Sequence, residues 1–73
     1  MADLIVYTVA TCGTCARAVR ELTEEGVAFE ERDIRKNTEW LEEASQLSIS
    51  VPILVRGDKI EIGWKGDLGC PFQ

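Results

Sequence analysis

Leu4-Ile5-Val6-Tyr7-Thr8-Val9-Ala10-Thr11-Cys12-Gly13-Thr14-Cys15, continuing through Ala16 to Gly26, reads as a strand, a turn and a helix in immediate succession. Leu4 to Val9 is short, apolar and rich in β-branched residues, and its lack of alternation predicts a strand covered on both faces. From Gly13 to Glu25 the apolar residues Ala16, Val19 and Leu22 recur at helical spacing, with Arg17, Arg20, Glu21 and Glu24 on the other side. Gly26 is placed to end that helix, since glycine takes the left-handed conformation of a C-terminal cap without steric cost.

Further along, Val27 to Ile34 alternates, with Val27, Phe29 and the stem of Glu31 out of phase with Ala28 and Glu30. A half-exposed strand is expected there, ending on the charged run Arg32-Asp33-Ile34-Arg35-Lys36. Asn37 or Thr38 can cap a second helix in which Trp40, Leu41, Ala44 and Leu47 face inward while Glu39, Glu42 and Glu43 face water. Glutamates in the first turns also suit the positive end of the helix dipole. Val51 to Val55 is a third apolar run, interrupted near its start by Pro52, and Arg56-Gly57-Asp58-Lys59 supplies turn chemistry before Ile60-Glu61-Ile62. The order is β-α-β-α-β-β: an α/β fold with helices crossing between parallel strands and a final antiparallel pair, hence a mixed four-stranded sheet. Gly63 to Gln73 is too glycine-rich for a helix, and at most one turn is expected near Lys65 to Leu68.

Seventy-three residues, 45 % hydrophobic and 29 % charged, form one globular domain spanning 1–73 with room for a single site. A net charge of −5, with Arg32, Arg35 and Lys36 set among acidic residues, argues against nucleic acid as a partner. The N-terminal residues have no basic n-region, and the apolar run is too short for a signal peptide or membrane span. A cytoplasmic, monomeric protein is expected. Three cysteines are not a disulfide framework in a reducing compartment, where a close pair points to redox chemistry or metal binding.

Cys12 and Cys15 stand at the handover from strand to helix, with Cys12 at the helix N-terminus and Cys15 one turn in, so that the two sulfurs can meet. Unpaired amides and the helix dipole stabilise a thiolate at Cys12, below the free thiol value of about 8.5. Two other readings stand beside this one: buried filler cysteines, and half of a zinc site. Zinc normally takes four Cys or His ligands, and this chain has no His and a third cysteine, Cys70, far away in sequence; no metal site is expected.

Tyr7-Thr8, Thr11-Cys12-Gly13-Thr14-Cys15, Ser50-Val51-Pro52, and Gly63-Trp64 ahead of Asp67-Leu68 together resemble a glutaredoxin over nearly the whole chain. Gly63-Trp64-Lys65-Gly66-Asp67-Leu68 is similar to the corresponding stretch of the glutaredoxin-like redoxins that reduce ribonucleotide reductase. The resemblance implies a small thioredoxin-like fold, and the glycine-rich end of this sequence leaves its C-terminal helix short or absent. It implies a cis bond before Pro52, which would turn the Val51 backbone toward the cysteines to bond an extended substrate segment. It places Thr11, Gly13, Thr14, Val51, Pro52, Trp64 and Asp67 around substrate. Three departures stand out: Val9 where a Lys is common, Gly13 where a Pro is common within the pair, and an end to the sequence where a last helix is usual.

The function this implies is dithiol disulfide reduction, in which Cys12 attacks a protein disulfide and Cys15 resolves the mixed disulfide. No cofactor is needed beyond an external donor. Glutathione is one candidate donor, but Val9 cannot bind its carboxylate, so a reductase of the thioredoxin reductase type is expected to serve better. Gly13 also leaves open an iron-sulfur carrier using Cys12 in a dimer, and a redox-inert binding module on the same fold is a third possibility. Arg56-Gly57-Asp58 spells an adhesion tripeptide but reads as a charged hairpin turn. Trp40 is expected in the core and Trp64 beside the substrate groove; Cys70 reads more as a spare thiol than as a third redox partner, although its position in a short tail could let it reach the site.

Overall fold

The computed structural model describes residues 3–72. Its elements run β1 (Leu4–Thr8), α1 (Gly13–Glu24), β2 (Glu30–Asp33), α2 (Thr38–Leu47), β3 (Ser50–Val51), β4 (Ile53–Arg56), β5 (Lys59–Ile62) and β6 (Cys70–Pro71). The main sheet has the order β2-β1-β4-β5. β1 is parallel to β2, with Ile5 opposite Glu30 and Thr8 opposite Asp33, and antiparallel to β4, with Leu4 opposite Arg56 and Tyr7 opposite Ile53. This is the mixed four-stranded sheet expected of the thioredoxin-like fold.

Period-two alternation in the central strands divides the core in two. Leu4, Val6 and Leu54 point to one face, where Leu22 of α1 meets them and Val27, Phe29 and Trp64 pack alongside. Tyr7 and Ile53 point to the other, with Ala44 of α2 and the flanking Trp40 and Leu47. Cys12 and Cys15 belong to this second group, because the start of α1 curls over the C-terminal end of β1.

Each helix boundary has a physical cause. The Asn37 side chain accepts hydrogen bonds from the Glu39 and Trp40 amides at 2.8 and 3.4 Å, so Asn37 rather than Thr38 is the cap. Gly26, at φ +74°, closes α1: its amide bonds the Thr23 carbonyl and the Val27 amide reaches back to Leu22, the paired bonds of a Schellman cap.

Several sequence expectations are corrected. The buried stripe of α1 is Thr14, Cys15, Ala18 and Leu22, with Ala16 exposed, because the helix turns Cys15 rather than its neighbour into the core. Leu41 is exposed while Ala44 is fully buried, since the close approach of α2 to the sheet is made over the small residue. The second strand is shorter than 27–34, with Val27 and Phe29 contributing packing from outside the ladder. The run from Val51 to Val55 is split at Pro52, which has no amide to donate, leaving Ser50–Val51 as a separate strand. The segment after Gly63 is a tight turn followed by a sixth strand. Trp64 and Asp67 exchange backbone bonds of 2.8 and 2.9 Å across Lys65 and Gly66, both at positive φ, and Cys70–Pro71 then pairs antiparallel with Ser50–Val51.

Candidate active site

Cys12 occupies the N-cap of α1 in an extended conformation, its amide donating to the Val9 carbonyl at 3.0 Å and its carbonyl accepting from Ala16 at 3.1 Å. The first amides of the helix therefore open beside its sulfur. The peptide bond before Pro52 is cis, as the family resemblance implied, and Val51 lies against the cysteine: the Cys12 Sγ is 3.9 Å from the Val51 carbonyl oxygen. Both Cys12 and Val51 are buried, at 2 % and 0 % exposure.

The sulfur bonded to Cys12 is not that of Cys15. Cys12 and Cys70 form a disulfide with a Cα–Cα separation of 5.9 Å, and Cys15 is a buried free thiol. Of the two readings of Cys70, the structure shows the one in which it reaches the site, and the spare-thiol reading is corrected. Its strand pairs with β3 so that Cys70 stands directly opposite Val51, which delivers its side chain to Cys12. Cys15, one turn further along the helix, packs toward β2. Burial pushes its thiol up from the ordinary cysteine value, a backbone hydrogen bond with Val9 opposes this, and the carboxylates of Glu31 and Asp33 push it up further.

The remaining expected residues fall into two sets. Thr11 and Gly13 are exposed at the mouth of the helix, and a Cβ on Gly13 would meet nothing within 4 Å. Thr14 is buried, and the carboxyl of Asp67 accepts from the Gly69 amide at 3.2 Å and lies 3.8 Å from Arg17. The Gly69 bond first, then the Thr14 bond and the Arg17 charge hold the Asp67 carboxyl below the usual aspartate range, against a smaller opposing effect of desolvation. Trp64 departs from expectation. Its ring packs with Leu4, Leu22 and Leu54 on the opposite side of the sheet from the cysteines, and its Nε1 donates to Glu21 at 3.1 Å. Only its backbone contributes near the helix start, where its carbonyl accepts from Arg17 at 3.1 Å.

Two participants escaped sequence reading. Arg17 looked like a solvated helix residue, and only the folding of the 64–67 turn against α1 gives it partners. Gly69 looked like one more loop glycine. A Cβ there would collide with the Val51 carbonyl oxygen and stand 2.8 Å from its carbon, so β6 can lie on Val51 only because Gly69 has no side chain.

Residues 4–60 match the family model described as Glutaredoxin. The chain belongs to the glutaredoxin family. It is similar to the solved structure of the glutaredoxin Grx-1 from Archaeoglobus fulgidus, with 35 % identity, a TM-score of 0.76, and coverage of 89 % of this chain and 78 % of that one. A variant of a thioredoxin-like protein superposes at TM-score 0.80 with 25 % identity, covering 89 % and 86 % of the two chains. The glutaredoxin-like NrdH-redoxin from Escherichia coli superposes at 0.76 with 24 % identity over 85 % and 83 %, a likeness of fold. No curated protein matches. Among the described residues no helix is long and apolar enough to cross a membrane.

Proposed function

We propose that this glutaredoxin-family protein is a thiol-disulfide oxidoreductase that reduces protein disulfides, with Cys12 as the attacking thiol and Cys15 as a resolving thiol. The observation that carries the reading is the position of Cys12 at the open N-terminus of α1, against the Val51 backbone. Once reduced, the sulfur lies where helix amides and the dipole favour a thiolate. The Val51 edge is a place for an extended segment of the target to pair by backbone hydrogen bonds, which bind a strand without regard to its side chains. Attack of the Cys12 thiolate on the target disulfide forms a mixed disulfide and releases one target thiol. Attack of a second thiol on Cys12 then releases the other, leaving two protein thiols oxidised.

The donor we favour is a protein reductase of the thioredoxin reductase type rather than glutathione. Val9, where a basic residue is common, is buried among apolar neighbours. Lys65 is paired with Glu21 at 2.9 Å and Glu25 at 3.4 Å, and the carboxyl of Asp67 already has Thr14, Gly69 and Arg17 as partners. A small anionic ligand depends on a few well-placed charges, and losing one costs about 1.5 to 3 kcal/mol, roughly ten- to a hundredfold in affinity.

The test is reduction of a disulfide-bonded protein such as insulin, driven in parallel by NADPH with thioredoxin reductase and by NADPH with glutathione and its reductase. Turnover faster with the protein reductase and abolished by Cys12→Ser is expected. Activity that survives Cys12→Ser would remove the assignment, and equal or faster rates with millimolar glutathione would remove the donor preference.

A further inference from the structure

Resting on the disulfide reductase reading above, we propose that Cys70 is a third redox thiol: the segment 69–72 docks on Val51 in the manner of a substrate strand and, by forming the Cys12–Cys70 disulfide, releases target from Cys12 and closes the oxidised site. Five features build this docking. Cys70 and Pro71 pair with Val51 and Ser50 in register, the Phe72 amide bonds the Ile49 carbonyl at 3.0 Å, and Cys70 and Phe72 pack against the core group that contains Cys12 and Val51. Gly69, at φ +86°, allows the backbone approach that any Cβ would block. The Asp67 side chain bonds the Gly69 amide from the far end and lies 3.8 Å from Arg17, so the turn before the strand is tied to the first turns of α1.

The chemistry balances. In a mixed disulfide between Cys12 and a target sulfur, the Cys70 thiolate attacks the Cys12 Sγ. The Cys12–Cys70 bond forms, the Cys12–target bond breaks, and its electron pair leaves on the target sulfur, which takes up the proton Cys70 gave up. Cys12 and Cys70 are oxidised by two electrons in all, and the target disulfide has been reduced to two thiols. An external dithiol reductant then restores both protein thiols by the same exchange. Because target strand and segment 69–72 compete for one edge at Val51, docking of Cys70 and departure of the target are a single event. In this oxidised structure Cys70 holds the Cys12 sulfur, and Cys15 is left a free, buried thiol.

The first experiment oxidises the reduced chain with one equivalent of a small disulfide, alkylates the remaining thiols and maps tryptic peptides by mass spectrometry. Expected is the peptide ending at Arg17 linked to the one beginning at Gly66, with fragmentation placing alkylated Cys15 beside linked Cys12. Alkylated Cys70 with Cys12 joined to Cys15 overturns the proposal. Gly69→Val should shift the product away from the Cys12–Cys70 link, and an unchanged yield also overturns it. The second experiment follows single-turnover release of target. Cys15→Ser should release target within about tenfold of the unsubstituted chain, and Cys15→Ser with Cys70→Ser should hold it as a mixed disulfide, slower by roughly a hundredfold or more once the intramolecular thiols are gone. Complete trapping by Cys15→Ser alone overturns the role of Cys70. Failure of the double variant to form any Cys12 adduct overturns the disulfide reductase reading itself, and with it the proposal; the missing adduct distinguishes this failure from trapping.

Discussion

At the scale of the residue, the two cysteines of the CxxC run have opposite environments. Cys12 caps a helix, whereas Cys15 is buried beside Glu31 and Asp33, and burial first, then those carboxylates, raise its thiol above the ordinary value. In a chain carrying Cys12→Ser and Cys70→Ser, alkylation of Cys15 by iodoacetamide should therefore show its pH midpoint above the free cysteine value of about 8.5. A midpoint at or below that value would contradict the role of burial. Gly13 makes a second residue-scale prediction. It is the first helical position, the preceding Cys12 has φ −91° and ψ 117°, and nothing lies within 4 Å of a built Cβ. Proline favours that position and demands just such an extended predecessor. Gly13→Pro should stabilise the protein by about 0.4 to 1 kcal/mol through the unfolded chain, read as a higher denaturant midpoint at unchanged slope.

At the scale of the element, the helix ends were legible because caps are local: Asn37 and Gly26 act on amides and carbonyls within a few residues of themselves. The inward faces were legible only in part. Apolar periodicity puts Ala16 and Leu41 on the inward stripe without saying how each helix is rolled against its sheet, and small Ala18 and Ala44 take the closest approach instead. The turn from Trp64 to Asp67 is held to α1 by charges that no local pattern announces. Asp67 has its carboxyl lowered mainly by the Gly69 amide and the Thr14 hydroxyl, so the sign of its linkage follows. Its stabilising contribution is fully present above the unfolded aspartate value of about 3.9 and is lost as pH falls through the lower folded value. Thermal melts from pH 7 to 2 should show a smaller acid-induced fall for Asp67→Asn than for the unsubstituted chain, and identical slopes would refute the assignment.

At the scale of the molecule, the disulfide between Cys12 and Cys70 joins residues 58 apart and makes stability depend on redox state. A cross-link closing a loop of that length limits the unfolded ensemble by about 4 kcal/mol in the chain-entropy description, within a usual range of roughly 0 to 5. For a domain of this size that is a large fraction of the whole. Oxidised protein should therefore melt above protein kept in dithiothreitol, and Cys70→Ser should remove most of the difference while leaving the reduced melting temperature close to that of the unsubstituted chain. A difference that persists in Cys70→Ser would place the stabilising bond between Cys12 and Cys15.

From Leu4 to Ile62 the order of the two helices and the four strands of the main sheet was determined locally, because hydrophobic period, caps and a two-residue hairpin turn are encoded within a few positions of where they act, whereas the short strand Ser50–Val51 exists by its pairing with Cys70–Pro71. The same locality put Cys12 at a helix start and Cys15 one turn later. Only the tertiary structure decided what faces them. Gly63 to Phe72 has no periodicity to read, and its course is set by pairing with Val51, by the space that Gly69 leaves open, and by the contacts of Arg17 and Thr14 with Asp67. Those partners lie from about 20 to more than 50 positions apart in the chain, where one-dimensional pattern carries no register. That is why Cys70 reads as a spare thiol in the sequence and stands bonded to Cys12 in the fold.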